Sequence, residues 1–266
     1  MASRNGLNPK IRGLKGVGFN RALPSSFGWG NGIWPDGTND YLIVPKLIGK
    51  IIPPQFTVEY WSKFPDILND LCGVFRFYGS GNSTIMIARA QKSPMQLQIT
   101  IAEQGGADYC NIPTDTKKTM IAHSIDMLSG TASFYSPNTP VSVRSYSNLI
   151  PKAGTTIENF EFFTPGRFTT SFGNTALDEF RFYKKLITQA GFDTNYNAGS
   201  GNNPFETENL MVWFKFEKFE MLDFSELQDG SDMRLGIRDH SGNNYHAQPF
   251  NMDTNSASPT YVLKPF

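Results

Sequence analysis

At 266 residues the chain is long enough for one large domain, and Phe, Tyr and Trp make up 14% of it, which suits a thick apolar interior. Its 24 basic and 24 acidic residues cancel, which excludes a whole-molecule field that would draw it to nucleic acid or to a membrane. No stretch is apolar for long enough to cross a bilayer, and no 3.6-periodic apolar run supports a substantial helix, so the fold class reads as all-β.

Residues 1–33 carry Arg4, Lys10, Arg12, Lys15 and Arg21 before the first acid, Asp36. Glycines at 6, 13, 16 and 18 break any helix, so the segment reads as an extended basic arm. Composition leaves a docking arm and a disordered tail level. As an arm it would hold an acidic partner surface through its cations, with Leu7, Ile11, Leu14, Val17 and Phe19 as apolar anchors. The stretch from Met1 to Gly6 lacks the apolar core of a secretory signal. Gly28-Trp29-Gly30-Asn31-Gly32 is a turn cluster without the strand–helix context of a phosphate loop.

The β body is expected from Trp34. Strand patterns follow at Tyr41–Val44, Phe56–Lys63, Val74–Tyr78 and Ile85–Ala88. In Met95–Ile101 the residues Met95, Leu97, Ile99 and Ile101 alternate with polar ones. Thr119–Ile125 and Gly130–Tyr135 read as a strand and its hairpin partner. In Leu177–Tyr183, period two puts Asp178 on the face of Phe180 and Phe182, with Glu179, Arg181 and Tyr183 opposite. An acid on that face needs a fixed partner. Lys184–Thr188 reads as a short cationic helix, and Gly199–Pro204 as a connecting loop.

Several of these segments resemble the concanavalin A-like, laminin-G-like jelly-roll family. Trp34-Pro35-Asp36-Gly37-Thr38-Asn39-Asp40-Tyr41-Leu42-Ile43-Val44-Pro45 is similar to its entry strand. Phe56-Thr57-Val58-Glu59-Tyr60-Trp61-Ser62-Lys63 is similar to the next, and Leu177-Asp178-Glu179-Phe180-Arg181-Phe182-Tyr183 to its closing signature. Residues 209–217 and Asp239-His240-Ser241-Gly242-Asn243 look like the strand and turn that usually open such a module, yet here they close it. The resemblance implies a two-sheet antiparallel jelly roll over 34–266, with 210–266 either a fragmentary second repeat or, the favoured reading because it is too short for a second jelly roll, a permuted closing segment.

The resemblance also frames function. Such modules mostly sit on exported proteins, and no export signal is legible here. A structural or decorating protein of a phage particle, released by lysis, meets both conditions. Its partners would be other virion proteins, capsid among them, and a host-surface glycan. The alternative is a carbohydrate-binding or adhesion module at a cell surface or secreted. Trp29 and Trp34 are the candidate sugar platforms, and each would equally serve as core.

Catalysis is not expected. Paired acids on one strand would carry glycoside hydrolysis, with retaining carboxylates about 5–5.5 Å apart. Glu220 and Asp223 differ by three positions and face opposite ways on a regular strand, while Glu220 and Glu226 would lie about 20 Å apart. His123, between Ile121 and Ile125, reads as a satisfied core histidine; His240 and His246 flank a turn and lack zinc-ligand spacing. Cys72 and Cys110 read as inert thiols. No cofactor is expected, with calcium left open: Asp36, Asn39 and Asp40, or Asp239 and Asn243, would supply hard oxygen ligands or tie β-turns.

Overall fold

The computed structural model describes residues 30–65, 72–91, 96–102, 104–111, 118–137, 139–164, 172–225 and 232–266. The strands are β1 (Asn31–Ile33), β2 (Tyr41–Ile43), β3 (Gln55–Lys63), β4 (Cys72–Gly79), β5 (Ser83–Gln91), β6 (Gln96–Ile101), β7 (Gln104–Asn111) and β8 (Lys118–Asp126). They continue as β9 (Thr131–Ser136), β10 (Thr139–Ser145), β11 (Ile157–Phe162) and β12 (Ala176–Tyr183). After the helix α1 (Gln189–Tyr196) come β13 (Leu210–Asp223), β14 (Met233–Asp239), β15 (Gln248–Phe250) and β16 (Leu263–Pro265). One sheet runs β10-β9-β8-β3-β12-β1-β16, with β13 on β12 and β14 on β13; the other runs β15-β2-β11-β4-β5-β6-β7. The pairings are antiparallel. This is a two-sheet jelly-roll sandwich of the concanavalin A-like type.

Alternation explains most strands. Phe56, Val58 and Tyr60 of β3 and Phe180 and Phe182 of β12 point inward, onto Phe75 and Phe77 of β4 and Phe160 and Phe162 of β11. The rings pack edge-on or stacked, as their quadrupoles favour; Phe162 meets Phe180 at 4.8 Å and 86°. Leu97, Ile99 and Ile101 of β6 are buried as the pattern requires, while Met95 lies outside the described residues. Strands of the last 57 residues enter both sheets: β13, β14 and β16 join the first and β15 the second.

The face assignment of Asp178 is corrected. Glu179 adopts φ +49°, and the register against β3 slips between Asp178 and Arg181, so two residues of β12 oppose Tyr60 alone. This β-bulge turns Asp178 to the outer face, opposite Trp61, and keeps Phe180 in the core. Asp178 does have a fixed partner: its Oδ1 accepts the Glu179 amide at 2.8 Å. Burial, and then the neighbouring Glu179 carboxylate, raise its pKa well above the usual carboxylate range.

The helix is also shifted. Lys184–Thr188 is not helical, and α1 starts at Gln189 because Thr188 caps it, its Oγ1 accepting the Gly191 amide at 3.2 Å. The segment from Ile187 to Leu210 lies over the outer face of the first sheet. There Ile187, Phe192 and Leu210 close a second apolar cluster with Trp61, Met120, Tyr183 and Trp213.

His123 is a core histidine, between Tyr60 and Phe134 at 6.2 and 5.4 Å, but not a satisfied one. Neither ring nitrogen has a hydrogen-bond partner among the described residues. Burial pushes its pKa down to about 3. Between that value and the unfolded value near 6.5, the unfolded chain binds the extra proton, so stability is lost as pH falls through the window. His123→Leu, close in volume, should therefore stabilise the protein by roughly 1–3 kcal/mol at pH 7 and by more at pH 5. Urea denaturation at the two pH values checks both statements.

Candidate functional site

The densest charge in the described structure lies under the α1 flap. Arg181 is fully buried and pairs with Glu59 at 2.7 Å and Glu179 at 3.0 Å; it also donates to the Asn202 carbonyl. Trp213 Nε1 donates to Glu179 at 2.6 Å, and Asn195 Nδ2 to both Glu59 oxygens at 3.0 and 2.9 Å. Burial alone would lower the guanidinium pKa, but the two carboxylates more than reverse it. Burial raises Glu59, against the pull of Arg181. Sealed from solvent, with Arg181 Nε alone of the guanidinium nitrogens lacking a partner among the described residues, this cluster ties the flap to the sheet through Asn195 and Asn202.

The calcium candidates form turns. Asp36 Oδ1 accepts the amides of Thr38 and Asn39 at 2.7 and 3.3 Å, and Asp40 Oδ2 accepts that of Asp36 at 2.9 Å. Asp239 takes four donors: Trp213 N, Ser241 N, Ser241 Oγ and Tyr245 N, at 2.7–3.0 Å. Asn243 Nδ2 donates to the Leu210 and Met211 carbonyls, 3.0 Å each, and Gly242 supplies the φ of +95° the turn requires. Among the described residues no group of three or more His, Cys, Asp or Glu is placed to hold a metal ion.

Asp40 has one unusual property: its pKa is pushed up to about 6, by burial first, with Asp36 and Asp253 adding to it. The folded state therefore keeps a proton that the unfolded chain releases near pH 4, and stability drains away as pH rises from about 4 through about 6. Asp40→Asn keeps the acceptor and removes the charge. It should gain about 1–3 kcal/mol over the wild type at pH 7 and nothing at pH 3.5. Thermal melts of the pair across that range measure the difference.

Glu220 and Asp223 stand three positions apart on β13, opposite Gly236 and Met233. Glu220 is bound to Arg238 and Lys218, and the hydrogen bonds from Arg238 hold its pKa below the usual range. Asp223 Oδ1 accepts the Ser225 amide at 2.9 Å, and Glu226 lies outside the described residues. His240 stacks edge-on against Trp213 at 5.8 Å. Cys72 is buried, and burial raises its thiol pKa. Arg4, Lys10, Arg12, Lys15, Arg21 and Trp29 lie outside the described residues.

Trp34 is the predicted platform that the structure places in a cavity. It follows β1 directly, its amide bound to the Val262 carbonyl at 2.7 Å. Half-buried, it lines a pocket of about 280 Å³ with Pro35, Asp36, Pro65, Asn174, Pro259, Thr260 and Lys264. Lys63 Nζ stands 5.3 Å from its ring centroid, and Phe266 packs at 6.5 Å. The indole Nε1 is buried without a hydrogen-bond partner among the described residues. Asn174, Thr260 and Lys264 were not singled out from the sequence. They come from the entry to β12, the loop before β16 and β16 itself, and only the fold brings them beside residue 34.

No protein-family model matches the chain, and no curated protein does. Among solved structures it is similar to a candidate carbohydrate-binding protein of Bacteroides ovatus, at 14% identity and a TM-score of 0.53, over 82% of this chain and 57% of that one. It is also similar to the heptameric SAP-like pentraxin of Limulus polyphemus, at 11% identity and a TM-score of 0.46, over 62% and 80%. A third likeness is the CBM40 module of a Ruminococcus gnavus sialidase bound to α2,3-sialyllactose, at 11% and 0.42, over 64% and 96%. The first of these speaks for the fold, and at 14% identity for the fold alone. The chain spans 57% of the length of that structure.

Proposed function

We propose that the protein is a non-catalytic saccharide-binding module that seats a glycan in the pocket beside Trp34. One observation carries the reading: a half-buried tryptophan in the wall of a cavity whose other members mix a carboxylate, an amide, a hydroxyl and an ammonium. A pyranose presents a C–H face and a rim of hydroxyls, so it needs one aromatic surface and several donors and acceptors around it. Among the described residues the pocket lining contains one carboxylate, Asp36, whereas glycoside hydrolysis takes two flanking the bond. The carbohydrate-binding description of the Bacteroides ovatus protein agrees with this reading, and a surface or secreted location is proposed with it.

A glycan array probed with the wild type and Trp34→Ala tests it. A defined set of glycans should be retained by the wild type and lost by the variant, a drop of about tenfold or more in affinity, with the fold intact by circular dichroism. Retention of nothing, or equal retention by both, overturns the reading. The narrower assignment, a phage particle decorated through capsid contacts of Arg4, Lys10, Arg12, Lys15 and Arg21, rests on the sequence alone. Cosedimentation with purified particles, lost on removing residues 1–26, would be its signature.

A further inference from the structure

We infer that a second cavity, separate from the Trp34 pocket, is a site for a small organic carboxylate with an apolar body. It measures about 290 Å³ and is lined by Lys46, Met221, Leu222, Asp223, Met233, Arg238, Asn244 and His246. Its parts come from three places: the 3-10 turn Pro45–Leu47 after β2, the end of β13 with Met233 and Arg238 from the two ends of β14, and the loop before β15.

Lys46 carries the argument. It is only 7% exposed, and its one hydrogen-bond partner among the described residues is the Asp223 carbonyl oxygen, at 3.3 Å. An ammonium has three donors, and a nearly buried one is costly unless an anion or several acceptors compensate it. Among the described residues a single neutral oxygen accepts from it, beside a cavity whose wall also carries the Asp223 side chain.

His246 supplies the second donor. Its Nδ1 accepts the Asp239 amide at 3.1 Å, so the ring proton of the neutral form sits on Nε2. Burial first, with Arg238 and Lys46 adding, lowers its pKa and keeps the ring neutral near pH 7. Arg238 is committed to Glu220, and Asp223 sets one negative charge in the wall. The net field is weak, so recognition rests on the Lys46 ammonium and the His246 N–H.

Met221 and Met233 give the lining an apolar, open side, with Leu222 buried beside them and Asn244 a further polar member. Met221 and Met233 are 59% and 46% exposed, and Met233 pairs with Asp223 across the hairpin, two residues along the strand from Met221, so all three share a face. Thioethers are soft and adaptable, a surface for a hydrocarbon chain and not for a polyol. A carboxylate on Lys46 and His246, with its carbon chain along Met221 and Met233, satisfies both halves of the lining.

Hexanoate is the probe, with hexanol as its uncharged counterpart. Calorimetric titration at pH 7 should show saturable hexanoate binding to the wild type, with hexanol at least about tenfold weaker. Lys46→Met should lose hexanoate binding by a similar factor. Independently of any variant, hexanoate should shift the methyl NMR signals of Met221 and Met233 in the wild-type protein, which keeps the test decisive if Lys46→Met does not fold. Absence of saturable binding, equal binding of hexanol, or shifts confined to methionines elsewhere would overturn the inference.

Discussion

Arg181→Leu is expected to cost about 3–5 kcal/mol of stability, the usual price of breaking a buried ion pair from one side. The change leaves Glu59 and Glu179 under the α1 flap with Asn195 and Trp213 as donors and removes the cation that pairs with both. It also frees the Asn202 carbonyl that the guanidinium holds, so the 199–204 loop should loosen with it. Arg181→Lys should recover only part of the loss, because one ammonium cannot reproduce a planar fork that serves two carboxylates and a carbonyl. Replacing Glu59, Glu179 and Arg181 together by apolar residues should recover most of it. Chemical denaturation of the four proteins checks the order. A single variant within about 1 kcal/mol of wild type would show that the cluster is not what fastens the flap.

Phe180→Ala should be comparably severe, at about 3–5 kcal/mol. Its ring lies 4.8 Å from Phe162, 5.6 Å from Phe75, 5.9 Å from Phe160, 6.2 Å from Phe214 and 6.3 Å from Tyr60. These neighbours belong to four strands of both sheets and to each other, so they cannot collapse into the void without moving a sheet. Conservative truncation elsewhere in the ring cluster offers the control: Phe182→Leu keeps most of the volume and should lose less. The melting temperatures of the two variants decide it.

The same residues show how far the sequence could be read. The strand pattern of Phe56–Lys63 is enough to place β3, and alternation in Leu177–Tyr183 places β12 and sends Phe180 and Phe182 to the core. It failed at Asp178, because a bulge is a backbone event: Glu179 takes φ +49°, and nothing in a pair of adjacent acids announces it. His123 was placed correctly between two inward isoleucines, but its missing partners depend on what packs from β9 and could not be read from β8. The turn role of Asp239 is legible because three of its four donors, from Ser241 and Tyr245, are local, whereas the fourth, the Trp213 amide, is not. Trp34 was legible as an aromatic beside a turn, whereas its companions Asn174, Thr260 and Lys264 are more than 130 residues away in the chain. Lys46 and His246 are likewise separated in sequence and meet only once β13 and β14 fold back.

The central claim is that a saccharide sits against Trp34, and the indole N–H signals of the protein read it directly. The chain has four tryptophans; Trp61 and Trp213 are buried under the flap, and Trp34 lines the pocket. In a titration with a glycan retained on the array, followed by nitrogen–proton correlation NMR and assigned through Trp34→Phe, the Trp34 indole signal should move and saturate while those of Trp61 and Trp213 stay in place. A saturating titration in which Trp34 does not move, or in which Trp213 moves instead, would contradict the account.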